Sequence, residues 1–365
     1  MASLLQGKGW IADADRFLTR AATQIRLLAA VTPTNARAEH DRLVQAYEHG
    51  EIAAPNWTYP SVDAGELVAA LYAVAEEIER ADDPLARLYA ARAREMGLEA
   101  ELASAAGQPR FAALATLRFR PNERDAAAAE AFCESWLGLT AEPEASVPTE
   151  QLEEAMKRAV GELRLPFTVT RDANLHALAA TGDTTIYVSA HARVTQRDIT
   201  RTVVHETIGH ALPRHRAAFQ TIGIFRLGTA QGADDQEGYA LLIEDRNGML
   251  DGGRKRELAC RHRAACEMER GASFTDVVGT LLAYGLHPHT AISTASRVFR
   301  GSNGTTRGLG RERTYLEAYA RVTRALHEDA SCEKILASGQ VAAEAIGVLR
   351  DYWVQPDQIA SSASR

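Results

Sequence analysis

His205-Glu206-Thr207-Ile208-Gly209-His210 is the most informative segment of this sequence. It places two imidazoles five residues apart, whereas a spacing of four puts two histidines on one face of a regular helix. Positions five apart differ by about 140° around an α-helix axis, so the two rings can converge only if the helix is locally widened. A π-type turn supplies that widening, and Gly209, which has no β-carbon, is its expected place. We therefore predict a wide turn between His205 and His210.

The residues before this motif predict the helix that carries it. Thr195 and Asp198 form the pattern of an N-terminal cap with an acid at the third helical position. Ile199 begins an apolar face at helical spacing. We expect the helix to begin at about Gln196 and to end at Pro213, since proline interrupts a helix interior.

Three side chains are the predicted protein ligands of a metal ion. Two imidazoles do not complete a catalytic zinc site, which usually has three protein ligands and an open position for water. Glu237, at the start of a second helical pattern, is the predicted third ligand after His205 and His210. Glu244 lies seven residues further, on the same helical face, where it could orient a ligating histidine. Glu206 is the predicted general base that takes a proton from the attacking water.

Two alternatives to this site stay open. The first is a different third ligand, supplied by another histidine: His176, His191, His287 or His289. The second is that both motif histidines are buried structural residues and no metal binds.

The chain as a whole predicts a mostly helical α+β protein of zincin-like type. Residues 1–147 have apolar residues at helical spacing and predict a helical N-terminal lobe, while residues 148–365 form the predicted catalytic domain. Residues 165–170 and 184–189 are rich in β-branched side chains and predict a small sheet. The second strand is either an edge to which an extended peptide adds or a plain core strand.

Composition limits the classes of function. The 365 residues are 46% apolar and 24% charged, as in ordinary folded proteins. The net charge of −7 and the lack of a lysine-rich stripe argue against a nucleic-acid partner. The sequence shows no signal-peptide pattern and no apolar stretch of membrane-spanning length, and its four cysteines match no disulfide scaffold. We expect a cytoplasmic protein that does not bind membranes.

Two motifs resemble those of the QEGLA-motif proteins, whose animal members are the microtubule-associated tyrosine carboxypeptidases. Residues 205–210 resemble the five-spaced metal motif of that family. Gln236-Glu237-Gly238-Tyr239-Ala240 resembles the motif that gives the family its name, with Tyr239 where leucine is usual. The resemblance spans about residues 10–330. It implies Zn²⁺ on His205, His210 and Glu237, with Glu206 as the base.

The resemblance also implies a site for the terminal carboxylate of a substrate, for which an arginine making paired hydrogen bonds is suited. Arg300, Arg307 and Arg261 are the candidates, and an ion-pair or surface role is the alternative for each. Tyr315 could donate a hydrogen bond to the oxyanion. Residues 309–313 depart from the family, which commonly has Phe-Thr-Lys-Asp there, so we expect different substrate contacts.

We therefore expect a zinc carboxypeptidase that removes a C-terminal residue, tyrosine or another bulky one, from a protein or peptide. The closest alternative is an endopeptidase or a protease that processes a peptide natural product. A non-catalytic regulatory protein that contains a structural metal is the alternative from another class.

Overall fold

A computed structural model describes residues 9–140, 144–173, 175 and 177–355 of the chain. Its described part is mostly helical with a small sheet, which confirms the predicted α+β class. His176, one of the alternative ligands, lies outside the described residues.

Helices carry most of the described chain, and each of them is too short or too polar to cross a lipid bilayer. In chain order the helices are α1 (Trp10–Ala22), α2 (Leu27–Ala30), α3 (Ala36–Glu48), α4 (Gly65–Glu79), α5 (Pro84–Ala105), α6 (Phe111–Arg118), α7 (Glu123–Trp136), α8 (Glu150–Glu162), α9 (Gln196–Val204), α10 (Leu212–Ala217), α11 (Ile224–Leu227), α12 (Gly232–Arg246), α13 (Gly252–Glu269), α14 (Phe274–Ala283), α15 (Pro288–Val298), α16 (Thr314–Glu328), α17 (Glu333–Leu336) and α18 (Ile346–Leu349). A π-helix, His205–Ala211, joins α9 to α10.

The chain divides into two compact units, each made of segments that are far apart in the sequence. The first unit contains Met1–Gly138 and Arg256–Glu317, and the second contains Leu139–Lys255 and Ala318–Arg365. In the first unit, Leu43 of α3 belongs to the same buried core as Ala264 of α13 and Val278 of α14. Burial of apolar area thus joins its two segments into one body.

A three-stranded sheet lies in the second unit. Its strands are β2 (Thr168–Asp172), β3 (Ala179–Thr181) and β4 (Thr185–Ser189), and β4 pairs in parallel with β2 and antiparallel with β3. The two predicted strands are present. Because β4 is central, the core-strand interpretation of residues 184–189 is confirmed and the edge-strand interpretation is wrong. A separate pair joins β1 (Val147–Pro148) to β5 (Arg193–Val194).

The helix that carries the motif begins as predicted and ends later than predicted. Thr195 and Asp198 form a reciprocal capping box at the start of α9. The predicted wide turn is the π-helix, in which the N–H of Leu212 bonds to the carbonyl of Thr207, five residues back. The predicted end at Pro213 is wrong, because this proline occupies the first turn of α10, where its missing N–H is tolerated.

Two glycines let α12 pack closely against its neighbours. A β-carbon on Gly209 would lie 2.6 Å from the β-carbon of Ala240, so the π-helix and α12 approach one another more closely than side chains allow. A β-carbon on Gly238 would overlap the backbone of Ala318 in α16. Both glycines are therefore required by close approach, and together they fix α12 beside the motif.

Candidate metal centre

Three donor atoms converge in the second unit. Nε2 of His210 lies 3.1 Å from Nε2 of His205. Oε2 of Glu237 lies 3.5 Å from Nε2 of His205 and 3.6 Å from Nε2 of His210. The π-helix brings the two rings together, and α12 brings the carboxylate to them. The structure thus brings together all three side chains that were predicted as ligands.

The separations of these atoms fit a zinc ion. The triangle that they define has a circumscribed circle of about 2 Å radius, which matches the roughly 2.0–2.2 Å of zinc–nitrogen and zinc–oxygen bonds. Two imidazoles and one carboxylate are also a donor set of catalytic zinc sites. The residues present therefore fit the ion that the sequence predicts.

Glu244 holds the ring of His205 in place, as predicted. Its Oε1 lies 2.7 Å from Nδ1 of His205, which assigns the ring proton to Nδ1 and leaves the lone pair of Nε2 for a ligand. Arg254, which no motif in the sequence marks, donates to both oxygens of this buried carboxylate at 3.1 and 3.2 Å. A charged network thus fixes the orientation of one donor.

The carboxylates around His205 favour a positive charge there. Burial lowers the pKa of His205, but hydrogen bonds from the ring to Glu237 and Glu244, together with the charges of Glu244 and Glu206, outweigh burial and raise the pKa to about 10. The same field that stabilises a proton on the ring would stabilise a bound metal cation.

Glu206 is buried next to the three donors and is held by the sheet. The hydroxyl of Thr181, on edge strand β3, donates to Oε2 of Glu206 at 2.7 Å. Sequence reasoning missed Thr181, because a threonine in a short Ala-Ala-Thr strand carries no signal of its own. This contact fixes one oxygen of the predicted base.

Arg214 adds a positive charge near the carboxylates. Burial lowers its pKa, while the charges of Asp183, Glu206 and Glu237 act in the opposite direction. Its Nη1 donates to Asp183 at 3.0 Å, and its Nε has no hydrogen-bond partner among the described residues. Arg214 follows His210 by four residues on the continuing helix, and sequence reasoning gave this position no role.

The predicted substrate-binding residues all belong to the first unit, whereas the three donors belong to the second. Arg307 pairs with Glu269 at 2.9 Å, and Arg261 pairs with Glu257 at 2.5 Å. Burial, together with a neighbouring arginine, lowers the pKa of Arg300 to about 10.

Tyr315, the predicted oxyanion donor, is half-buried in the first unit and interacts electrostatically with Arg300. The roles assigned to Tyr315 and to the three arginines stay predictions.

The alternative histidine ligands lie elsewhere. His191 is exposed, and His287 stacks on His289 with ring centroids 5.5 Å apart in the first unit. Among the described residues, the group that contains both motif histidines is completed by Glu237.

These features define a class: mostly helical α+β proteins in which a π-helix presents a His-Glu-x-x-x-His motif to a glutamate on the next long helix. The family model described as microtubule-associated tyrosine carboxypeptidase matches residues 46–356. The chain belongs to this family, which confirms the resemblance seen in the sequence, and membership supports a peptidase activity. No curated protein is similar enough to the chain to count as a match.

Proposed function

We propose that this protein is a zinc-dependent carboxypeptidase that removes a C-terminal residue from a protein or peptide. The observation that carries the proposal is the convergence of His205, His210 and Glu237 on a point about 2 Å from each donor atom, the length of a zinc–ligand bond. The description of the family favours tyrosine as the residue removed. Four free cysteines fit a reducing compartment, so we propose a cytoplasmic location.

The reaction that we propose is hydrolysis of a peptide bond by water. When bound, zinc supplies a Lewis acid that polarises the scissile carbonyl and acidifies water. Glu206 takes a proton from the water as its oxygen attacks the carbonyl carbon. The same carboxyl group then gives that proton to the leaving amine as the C–N bond breaks. The hydrogen bond from Thr181 to Oε2 holds the carboxylate of Glu206 in one orientation.

The three protein donors favour a catalytic role over a structural one. A structural zinc is normally closed by four protein ligands, whereas a catalytic zinc keeps a position for water or substrate. Glu244, a further carboxylate of α12, bonds to Nδ1 of His205 and to Arg254. Its oxygens are thus engaged in orienting a donor.

Glu206→Gln tests the proposal. The amide cannot accept a proton, so we expect kcat/KM to fall by about 10²–10⁴-fold while the zinc content stays at the wild-type value. Zinc-loaded protein is incubated with a library of peptides that differ in their C-terminal residue, and the products are read by mass spectrometry. Glu154→Gln, an exposed glutamate of α8, is the matched control and should behave as wild type.

The form of the products decides between the alternatives. Loss of single terminal residues, blocked by C-terminal amidation, supports a carboxypeptidase, whereas internal cleavage of amidated peptides supports an endopeptidase. Activity of Glu206→Gln close to wild type would refute Glu206 as the base. A zinc-loaded wild-type protein that cleaves no peptide in the library would favour the non-catalytic regulatory alternative.

A further inference from the structure

A second group of metal-type donors lies in the first unit, on two neighbouring helices. His262 and Cys266 are four residues apart on α13, so their side chains share a face, and Glu130 lies on α7. Sγ of Cys266 is 3.4 Å from Nε2 of His262, and Oε2 of Glu130 is 3.6 Å from the same nitrogen. The three donor atoms all lie within 4.8 Å of one another.

The two separations from His262 fit tetrahedral zinc. With zinc–sulfur bonds of about 2.3 Å and zinc–nitrogen or zinc–oxygen bonds of about 2.0–2.2 Å, neighbouring ligand atoms lie about 3.4–3.6 Å apart. The two separations from His262 Nε2, 3.4 and 3.6 Å, fall in that range. Thiolate and imidazole donors also favour zinc over the oxygen-seeking ions magnesium and calcium.

Outer contacts orient two of the three donors, His262 and Glu130. Nδ1 of His262 faces the backbone carbonyl of Arg313 at 3.4 Å, which places the ring proton on Nδ1 and the lone pair of Nε2 towards Cys266. Nη2 of Arg263 lies 2.8 Å from Oε1 of Glu130, leaving Oε2 on the side of the histidine. Outer contacts of this kind orient the ligands of metal sites.

A hydrogen bond between thiol and imidazole is the simpler account of the same contact. Burial raises the pKa of Cys266 to about 12, so without a metal the thiol is protonated and donates to Nε2 of His262. Zinc binding replaces this proton: the S–H bond breaks, a zinc–sulfur bond forms and the proton passes to solvent. The positive charges of two nearby arginines oppose the binding of a cation. Each arginine forms a salt bridge, Arg263 with Glu130 and Arg313 with Glu269.

We propose that Glu130, His262 and Cys266 bind a zinc ion that joins α7 to α13, a site distinct from the catalytic centre. Water completes the coordination, since the side chain of Glu130 is 30% exposed and gives solvent access. The ion cross-links two helices of the first unit whose sequences lie more than a hundred residues apart. This site does not depend on the peptidase proposal.

Cobalt substitution tests this site without any assay of activity. A thiolate bound to Co²⁺ produces a strong near-ultraviolet charge-transfer band, and the donors His205, His210 and Glu237 contain no sulfur. We expect the full-length protein to bind two equivalents of Co²⁺ and to show the band. Cys266→Ser should lose the band and one equivalent of metal. Cys260→Ser, a buried cysteine on the same helix but outside the group, should keep both.

Two further variants separate this proposal from the catalytic one. The double variant His205→Ala/His210→Ala should keep the band and one equivalent of Co²⁺, and Glu130→Gln should weaken Co²⁺ binding at the thiolate site about tenfold or more. A wild-type protein that binds one equivalent without the band overturns the second site and leaves the peptidase proposal intact. A band that persists in Cys266→Ser overturns it as well.

Discussion

Thr181 holds the carboxylate of Glu206 by one hydrogen bond, and side chains that differ by a single group can test its effect. Thr181→Val removes the hydroxyl and keeps the branched shape. A hydrogen bond to a charged group contributes about 1.5–3 kcal/mol, so we expect kcat to fall by about 10–100-fold with zinc content unchanged. Thr181→Ser keeps the donor and should restore most of the activity. Steady-state kinetics on a cleaved peptide measures the difference.

Another threonine of the same sheet provides the control. Thr168 of β2 contacts Thr185 through its hydroxyl at 2.9 Å and does not touch Glu206, so Thr168→Val should leave kcat unchanged. If Thr181→Ser were as slow as Thr181→Val, the defect would lie in packing of the strand rather than in the hydrogen bond. Equal kcat values for wild type and Thr181→Val would rule out the positioning role.

Gly209 of the π-helix packs directly against Ala240 of α12, and a methyl group there should separate the two helices. In Gly209→Ala the new carbon would lie 2.6 Å from the β-carbon of Ala240, well inside van der Waals contact. Overpacking of this kind costs about 1–3 kcal/mol of unfolding free energy. Because α12 also carries Glu237, we expect weaker zinc binding. Urea unfolding and competition with a chromophoric chelator measure the two effects.

Gly279 of α14 is the matched control for this substitution. It is a helical glycine, and among the described residues no atom lies within 4 Å of the place that a β-carbon would occupy, so alanine meets open space there. Gly279→Ala should raise the unfolding free energy by about 0.5–1 kcal/mol, since alanine is the better helix former. A Gly209→Ala protein with wild-type stability and zinc affinity would show that the close approach is not required.

Local geometry explains which elements could be predicted. The five-residue spacing of His205 and His210 is enough to predict the π-helix, because a regular helix would turn the two rings apart. The capping box could likewise be predicted, because Thr195 and Asp198 lie only three residues apart. The predicted helix end at Pro213 was wrong because this proline lies in the first turn of α10, which follows the π-helix. Its missing N–H is tolerated in that turn. Strand β3 was not predicted, because it has only three residues and two of them are alanines, which are depleted in strands.

Contacts between distant segments explain what the sequence did not reveal at the site. Thr181 reaches Glu206 across 25 residues, through the pairing of β3 with β4 and the packing of the sheet on the π-helix. Arg254 reaches Glu244 from the next helix. Neither residue has a spacing or a neighbouring motif that marks it. The convergence of His205, His210 and Glu237 was predictable because few types of side chain bind metals, whereas many residue types could support them.

The first unit depends on both of its segments, and this can be tested by fragments. Leu43 of α3 shares a buried core with Ala264 and Val278, and the ring of Phe111 fills the space beside Gly301. In a fragment of residues 1–138 alone, this apolar surface would be exposed to water. The exposure would cost about 25 cal/mol of folding free energy per Å². We expect the fragment 1–138 to bind a hydrophobic dye and to melt without a cooperative transition by circular dichroism. The same fragment joined to residues 256–317 by a flexible Gly/Ser linker should melt cooperatively and bind little dye. A sharp, monomeric transition of 1–138 on its own would contradict the shared core, because burial within one segment would then suffice for folding.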